Sequence, residues 1–265
     1  MSHKEITDVK IVRYRADGIT NFGIMEEDGT IRDLVGSPFE ALNPSSKTVH
    51  LSDVQLLAPV EAPRIIGVGL NYAEHAREAG KELPTKPMLF MKPSTSVVGP
   101  DEAIIYPHQG KNIHYEAELA VVIGSPARRV SEARALDYVL GYTCGNDVSE
   151  RTIQFAEMQT GTMLIGKGFD TFCPLGPCIT TDLDPGNLQL QARLNGEVKQ
   201  SESTSDLIFS VPQLISYISA AFTMLPGDVI MTGTPSGVGP FVPGDVVEIE
   251  IEGIGTLSNP VVAEE

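Results

Sequence analysis

The sequence predicts a mainly β chain with short helices, of the α+β class, from three observations. Val246-Val-Glu-Ile-Glu-Ile-Glu252 alternates apolar and charged residues with period two, as a strand with one wet face does. The other apolar runs are mostly of strand length and end in turn residues drawn from 25 Gly and 19 Pro scattered along the chain. Helical spacing is confined to a few short stretches, too few to build the core.

From the N-terminus, Val9 to Tyr14, Ile19 to Met25 and Thr30 to Val35 are apolar segments separated by the turn signals Ala16-Asp-Gly18 and Glu27-Asp-Gly29, which predicts a three-stranded meander. A polar stretch, Asn43-Pro-Ser-Ser-Lys47, follows with no strand assigned to it. Leu56-Leu-Ala-Pro-Val-Glu-Ala-Pro63 reads as an extended linker with two prolines. A boundary near residue 60 then separates a small N-terminal β domain (1–60) from a larger domain (61–265). Ile65 to Leu70 predicts a buried strand running into a helix over Asn71 to Gly80, with Asn71 as cap, Glu74 three residues on and Gly80 as stop. Gly67-Val-Gly69 is not a dinucleotide loop, because Tyr72 stands at the third glycine position. His75 and Glu78 share a helix face, either as a base oriented by a carboxylate or as a surface contact.

Lys86 to Pro93 predicts a strand and Ser94 to Pro100 a turn. Helix-forming residues from Val130 to Tyr138 precede a strand from Val139 to Asp147. Asp147 ends that strand beside a glycine, either as a ligand or as the cap of a helix over Val148 to Phe155. Lys167 stands between Gly166 and Gly168, either a turn residue or a cation against an oxyanion. Leu188 to Lys199 is a hairpin about Asn195-Gly196. Ser210-Val-Pro-Gln213 is a capping box, and Leu214, Ile218, Phe222 and Leu225 recur at helical spacing as core residues up to Pro226-Gly227. Asp228 to Thr232 is a strand ending in Gly233-Thr-Pro-Ser-Gly-Val-Gly239, a plain turn or a cradle for a carboxylate.

The 265 residues carry a net charge of −16, which disfavours polyanions such as nucleic acid as partners. A small anionic substrate then requires a local positive site. Met1 to Asp8 shows no apolar signal region and no apolar run approaches the ~20 residues of a membrane span, so a soluble, cytoplasmic protein with no membrane partner is expected. Cys144, Cys173 and Cys178 are too few for a disulfide framework and read as reduced and structural.

The sharpest conflict lies in His114-Tyr-Glu-Ala-Glu-Leu-Ala-Val-Val-Ile-Gly124, where Glu116 and Glu118 share one face of what reads as a single buried strand. Two ionised carboxylates on an apolar face are costly unless compensated. A hard metal resolves the conflict, and a solvated outer face, as assigned to Glu248, Glu250 and Glu252, is the other reading. With Asp147 the donors are all oxygen, which points to magnesium or manganese, is compatible with calcium and disfavours zinc.

The ordered motifs N-Y-A-E-H-A-R-E, Y-E-A-E-L-A-V-V-I-G, G-N-D-V-S-E-R, G-K-G-F-D-T-F-C-P-L-G-P and T-G-T-P-S-G-V-G, from about Arg64 to Pro260, resemble the fumarylacetoacetate hydrolase superfamily. The resemblance implies a mixed β-sandwich roll with a small N-terminal β appendage, commonly a homodimer. It implies Glu116, Glu118 and Asp147 as ligands of Mg2+ or Mn2+, Lys167 as the cation beside the metal, and His75 with Glu78 as the water-activating pair on a closing segment. Arg151, Gln154 and Thr234 match residues that hold substrate. Many members carry Trp and Arg where this chain has Met163 and Ile165, which leaves substrate identity open. The expected activity is metal-dependent hydrolysis of a carbon-carbon bond in an acylpyruvate or related 1,3-diketo acid through an enolate. Isomerisation of a 2-hydroxy-dienoate and decarboxylation of a 2-oxo acid of the oxaloacetate type use the same site, and a non-catalytic metal-dependent binder of small acids is the rival of a different class.

Overall fold

The computed structural model describes residues 9–265, so the reading of Met1 to Asp8 lies outside the described residues. The largest sheet has twelve strands. Its path runs Pro44–His50, Thr30–Leu34, Ile19–Met25, Lys10–Ala16, Cys173–Thr180, Val139–Asn146, Ala117–Ile123, Val229–Met231, Ile65–Gly69 and Met88–Lys92. Two short strands, Gln55–Leu57 and Val97–Val98, attach to Lys10–Ala16 and Cys173–Thr180. Most pairings are antiparallel, but Val229–Met231 runs parallel to Ile65–Gly69, so the sheet is mixed. A five-stranded sheet holds Glu197–Ser203, Gln189–Leu194, Val246–Ile251, Gly255–Ala263 and Ile104–Tyr106. The predicted mixed β-sandwich roll with short helices is therefore the observed fold.

Ala117–Ile123 is the central strand, and all seven of its residues are buried. Its two faces go to different places, as alternation requires. Leu119, Val121 and Ile123 join a cluster with Leu190, Ala192, Ile249, Ile251 and Leu257, which is the interior between the two sheets. Ala120 and Val122 join a second cluster with Ile11, Ile65, Leu175, Val229 and Met231. Those partners belong to other strands of the same large sheet, so this face of the sheet is buried as well as the one toward the second sheet. Glu118 has the parity of this second face.

Several local expectations need correction. Asn43-Pro-Ser-Ser-Lys47 enters a strand, Pro44–His50, because pairing with Thr30–Leu34 supplies what its polar composition hides. Leu56 and Leu57, read as linker, belong to the strand Gln55–Leu57. The strand from His114 breaks at Glu116 into Ile113–Tyr115 and Ala117–Ile123, which lie in different sheets. The first α-helix, α1, spans only Ala73–Glu78 and is preceded by Tyr72; Asn71 does not cap it. Asn71 is instead buried, its amide donating to the carbonyls of Thr232 and Phe209 at 2.7 and 3.0 Å. Val130 to Tyr138 supplies a 3-10 helix over Glu132–Tyr138. The second helix, α2, spans Arg151–Met158 and is capped by Glu150, whose carboxylate accepts from the Ile153 amide at 2.6 Å; Asp147 is no cap. The third helix, α3, spans Val211–Ala221 with its capping box present, but stops before Phe222 and Leu225, which are exposed rather than core.

Other expectations hold. Asn195 and Gly196 both take positive φ, 53° and 81°, at the tip of the predicted hairpin. Glu248 and Glu250 line the wetter face of their strand, Glu252 is exposed just past its end, and the three cysteines are free and buried. No helix among the described residues is long and apolar enough to cross a membrane.

Candidate active site

The break at Glu116 has a local cause. The Glu116 amide donates to the side chain of Asn146 at 3.0 Å and the Ala117 amide to Gln200 at 2.9 Å, so side chains replace the ladder partners at this point. Gln200 also donates to the Thr234 hydroxyl and the Pro235 carbonyl, each at 2.8 Å, tying the broken strand to the glycine-rich turn. The Asp147 amide donates to the Glu116 carbonyl at 2.9 Å, which brings the end of Val139–Asn146 to the same spot.

Glu116, Glu118 and Asp147 converge there, all buried, with oxygens within 4.8 Å of one another. Lys167 Nζ lies 2.8 Å from Glu116 Oε2 and 2.6 Å from Asp147 Oδ2. Lys92 Nζ lies 2.5 Å from Asp147 Oδ1 and donates to the Val148 carbonyl at 3.1 Å. Arg151 NH2 is 2.6 Å from Glu116 Oε1, a charge contact whose N–H bonds are not aligned along it, while NH1 donates to Gln154 Oε1 at 2.9 Å. Burial works against ionisation of Glu116, but Lys167 and Arg151 outweigh it and hold the carboxyl well below the usual range. The same two acids outweigh burial at Lys167 and hold its ammonium above its ordinary value.

Glu118 is different. Its Oε2 accepts the Gly233 amide at 2.8 Å, and no salt bridge among the described residues reaches it. Burial, then Asp147 and Glu116, push its pKa well up. A divalent cation held by the three carboxylates would supply the positive charge that Glu118 lacks, so these residues fit the metal that the sequence implied. The oxygen-only donor set suits magnesium or manganese, with calcium compatible.

His75 on α1 is buried, and its Nδ1 is 3.2 Å from Glu78 Oε2. A carboxylate at Nδ1 makes that nitrogen the protonated one and leaves Nε2 as the acceptor. Glu78 is itself held by the Gly237 amide at 3.2 and 3.3 Å, so the glycine-rich turn fixes the pair and, through Gly233, Glu118. His75, Glu78, Glu116, Glu118, Asp147, Arg151, Gln154, Lys167 and Thr234 all line one cavity of about 300 Å³. Thr234 is buried at its wall.

Sequence reasoning missed Lys92, Asn146, Gln200 and Glu157. Lys92 ends a strand before Pro93, where a lysine usually points to solvent, and nothing in its local pattern marks it. Asn146 was detectable as the polar residue next to Asp147.

The description "Fumarylacetoacetate (FAA) hydrolase C-terminal" matches residues 64–262, and "Rv2993c-like, N-terminal" matches residues 9–59. Protein Rv2993c of Mycobacterium tuberculosis is 47% identical over 236 residues, covering 88% of each chain. Oxaloacetate tautomerase Fahd2a, mitochondrial, of Rattus norvegicus is 44% identical over 223 residues, covering 80% of this chain and 70% of that one. The crystal structure of 2-hydroxyhepta-2,4-diene-1,7-dioate isomerase from Mycobacterium marinum superposes with a TM-score of 0.89 at 44% identity, covering 97% of this chain and 99% of that one.

Proposed function

The chain belongs to the fumarylacetoacetate hydrolase family, and from that premise we propose that it is a divalent-metal-dependent enzyme that interconverts the keto and enol forms of a small 2-oxo acid. The observation that carries this reading is Lys167 Nζ, held between Glu116 and Asp147 at 2.8 and 2.6 Å beside the third carboxylate, Glu118. When bound to Glu116, Glu118 and Asp147, the metal supplies Lewis acidity toward the 2-oxo and carboxylate oxygens.

The protein's own groups do the rest. His75 Nε2 takes the proton from the carbon next to the carbonyl and returns it to oxygen or carbon, while Glu78 holds the imidazole in the tautomer that leaves Nε2 free. Lys167 faces the charge that develops on the enolate oxygen. Arg151 and Gln154, linked at 2.9 Å, present donors to the substrate's carboxylate side, with Thr234 across the cavity. The isomerase and tautomerase named among the relatives support proton transfer as the first reading. Hydrolysis of a carbon-carbon bond in an acylpyruvate, the activity expected from the sequence, is the second: the His75 and Glu78 pair suits activation of water equally well, and the leaving fragment is the same enolate.

Purified protein, stripped of divalent ions and reloaded with Mg2+ or Mn2+, is mixed with enol phenylpyruvate and separately with acetylpyruvate, with products resolved. Metal-dependent acceleration of enol decay without new fragments is expected, and Glu118→Gln abolishes it in a folded protein. Cleavage of acetylpyruvate with slow enol decay puts the second reading first. No acceleration and no cleavage under either metal overturns both.

A further inference from the structure

One wall of the cavity is built by the segment joining α2 to Lys167. Glu157, near the end of α2, accepts three successive backbone amides, from Leu164 at 3.2 Å, Ile165 at 2.8 Å and Gly166 at 2.9 Å. These bonds outweigh the effect of burial and hold the carboxyl below its usual range. Gln154 Nε2 lies 3.4 Å from Met163 Sδ. A Cβ on Gly166 would lie 2.6 Å from the Gln154 backbone nitrogen, so the segment returns tightly against the helix. Its two ends therefore do two things. Lys167 is delivered to the carboxylates, and Met158 and Met163 are delivered to the cavity, where Phe155, 58% exposed, stands at the mouth.

The charges are not spread evenly around this space. Arg151 and Lys167 stand at the Glu116 end of this space, where the enolate reading already assigns them to the 2-oxo acid head of the substrate. The other lysine lining the cavity, Lys81, is exposed on the turn after α1. Methionine side chains adapt their shape to an apolar guest, and a cavity near 300 Å³ falls at the start of the range that takes drug-sized ligands. Resting on the enolate reading above, we propose that the Glu157-held segment selects the substrate, and that the substrate is a 2-oxo acid whose far end is an apolar chain rather than a second carboxylate.

The test uses unreactive affinity, so it does not depend on turnover. Mg2+-loaded protein is titrated calorimetrically with 2-oxobutanoate, 2-oxohexanoate, 2-oxooctanoate and the diacid 2-oxoadipate. Full burial of a methylene corresponds to about fourfold in affinity, so a gain of about tenfold or more is expected from 2-oxobutanoate to 2-oxooctanoate even with partial burial, with 2-oxohexanoate ahead of 2-oxoadipate. Met163→Arg is expected to reverse that last order. Glu157→Gln is expected to flatten the dependence on chain length while Mg2+ affinity, measured separately, stays within about twofold, which separates a loosened wall from an unfolded site. Equal affinity along the series, or 2-oxoadipate binding tighter than 2-oxohexanoate to the unaltered protein, overturns the proposal and leaves the enolate reading standing. Failure of every acid to bind overturns both.

Discussion

Two lysines divide one carboxylate. Asp147 Oδ1 goes to Lys92 and Oδ2 to Lys167, and the Lys92 side chain is fully buried. Removing one partner of a buried ion pair leaves a charge without its compensation and typically costs several kcal/mol. Asp147 keeps Lys167, so Lys92→Met is expected to lose about 3 kcal/mol, the lower end of that range. Urea unfolding of the metal-free protein reads this, and unchanged stability would show that Lys92 contributes nothing to the fold. His114 offers a pH-dependent counterpart. Its Nε2 is 2.9 Å from Asn112 Oδ1, its buried Nδ1 has no partner among the described residues, and burial followed by Arg151 pushes its pKa down to about 4. Between the unfolded value near 6.5 and about 4, the unfolded chain takes up a proton that the folded chain refuses, so stability falls as pH drops through that window. Discounted for partial exposure, the loss is on the order of 2 kcal/mol. In His114→Gln the fall in melting temperature between pH 6.5 and 4 is expected to be shallower, and an identical slope would discard the assignment.

At the level of elements, α2 presents Arg151, Gln154 and Glu157 at intervals of three, so one face reaches Glu116, Met163 and the 164–166 backbone in turn. Sequence reading placed this helix but started it at Val148 and left Asp147 as either its cap or a ligand, because an aspartate before a helix-like run has the same local signature whether it caps or binds. Asn71 misled in the same way. Only tertiary partners, here the Thr232 and Phe209 carbonyls for Asn71 and two lysines for Asp147, separate the cases. Gly67 was read as a failed dinucleotide motif, and its physical role is close packing: a Cβ there would lie 2.2 Å from the Phe90 ring, over which Lys167 Nζ sits at 5.0 Å. Gly67→Ala should therefore destabilise by roughly 1–3 kcal/mol, as overpacked cores do. Gly69→Ala meets the terminal methyl of Met88 at 2.3 Å, a flexible end that can turn aside, and should cost less. Thermal unfolding of the two variants side by side checks the order, and equal losses would argue against a rigid Phe90.

For the molecule as a whole, the paired glutamates were the most legible feature, because charge on an otherwise apolar strand contradicts its surroundings whatever the fold. How the first sixty residues join the rest was not legible, because strand pairing across more than 160 residues leaves no local trace. Lys10 and Ile11 pair with Thr180 and Ile179, Val9 exchanges bonds with Thr181, and Lys10 Nζ donates to the Ile254 carbonyl at 3.0 Å. Ile11 and Leu34 are buried in the cluster that also holds Val122 and Val229, on the face of the sheet that carries Glu118. The family matches break between residues 59 and 64, yet no gap in the sheet corresponds to that break. Removing residues 1–59 would strip the pairing edge of Cys173–Thr180 and uncover Ile179 and Leu175, leaving an unpaired apolar edge of the kind that associates with other chains. The shortened protein is expected to aggregate, or to melt well below the full chain, with weaker Mg2+ binding as the sheet face that carries Glu118 loses packing. Light scattering, melting curves and a metal titration measure these outcomes. A monodisperse product with the melting point and Mg2+ affinity of the full chain would show that the N-terminal strands are a separable unit despite their hydrogen bonds.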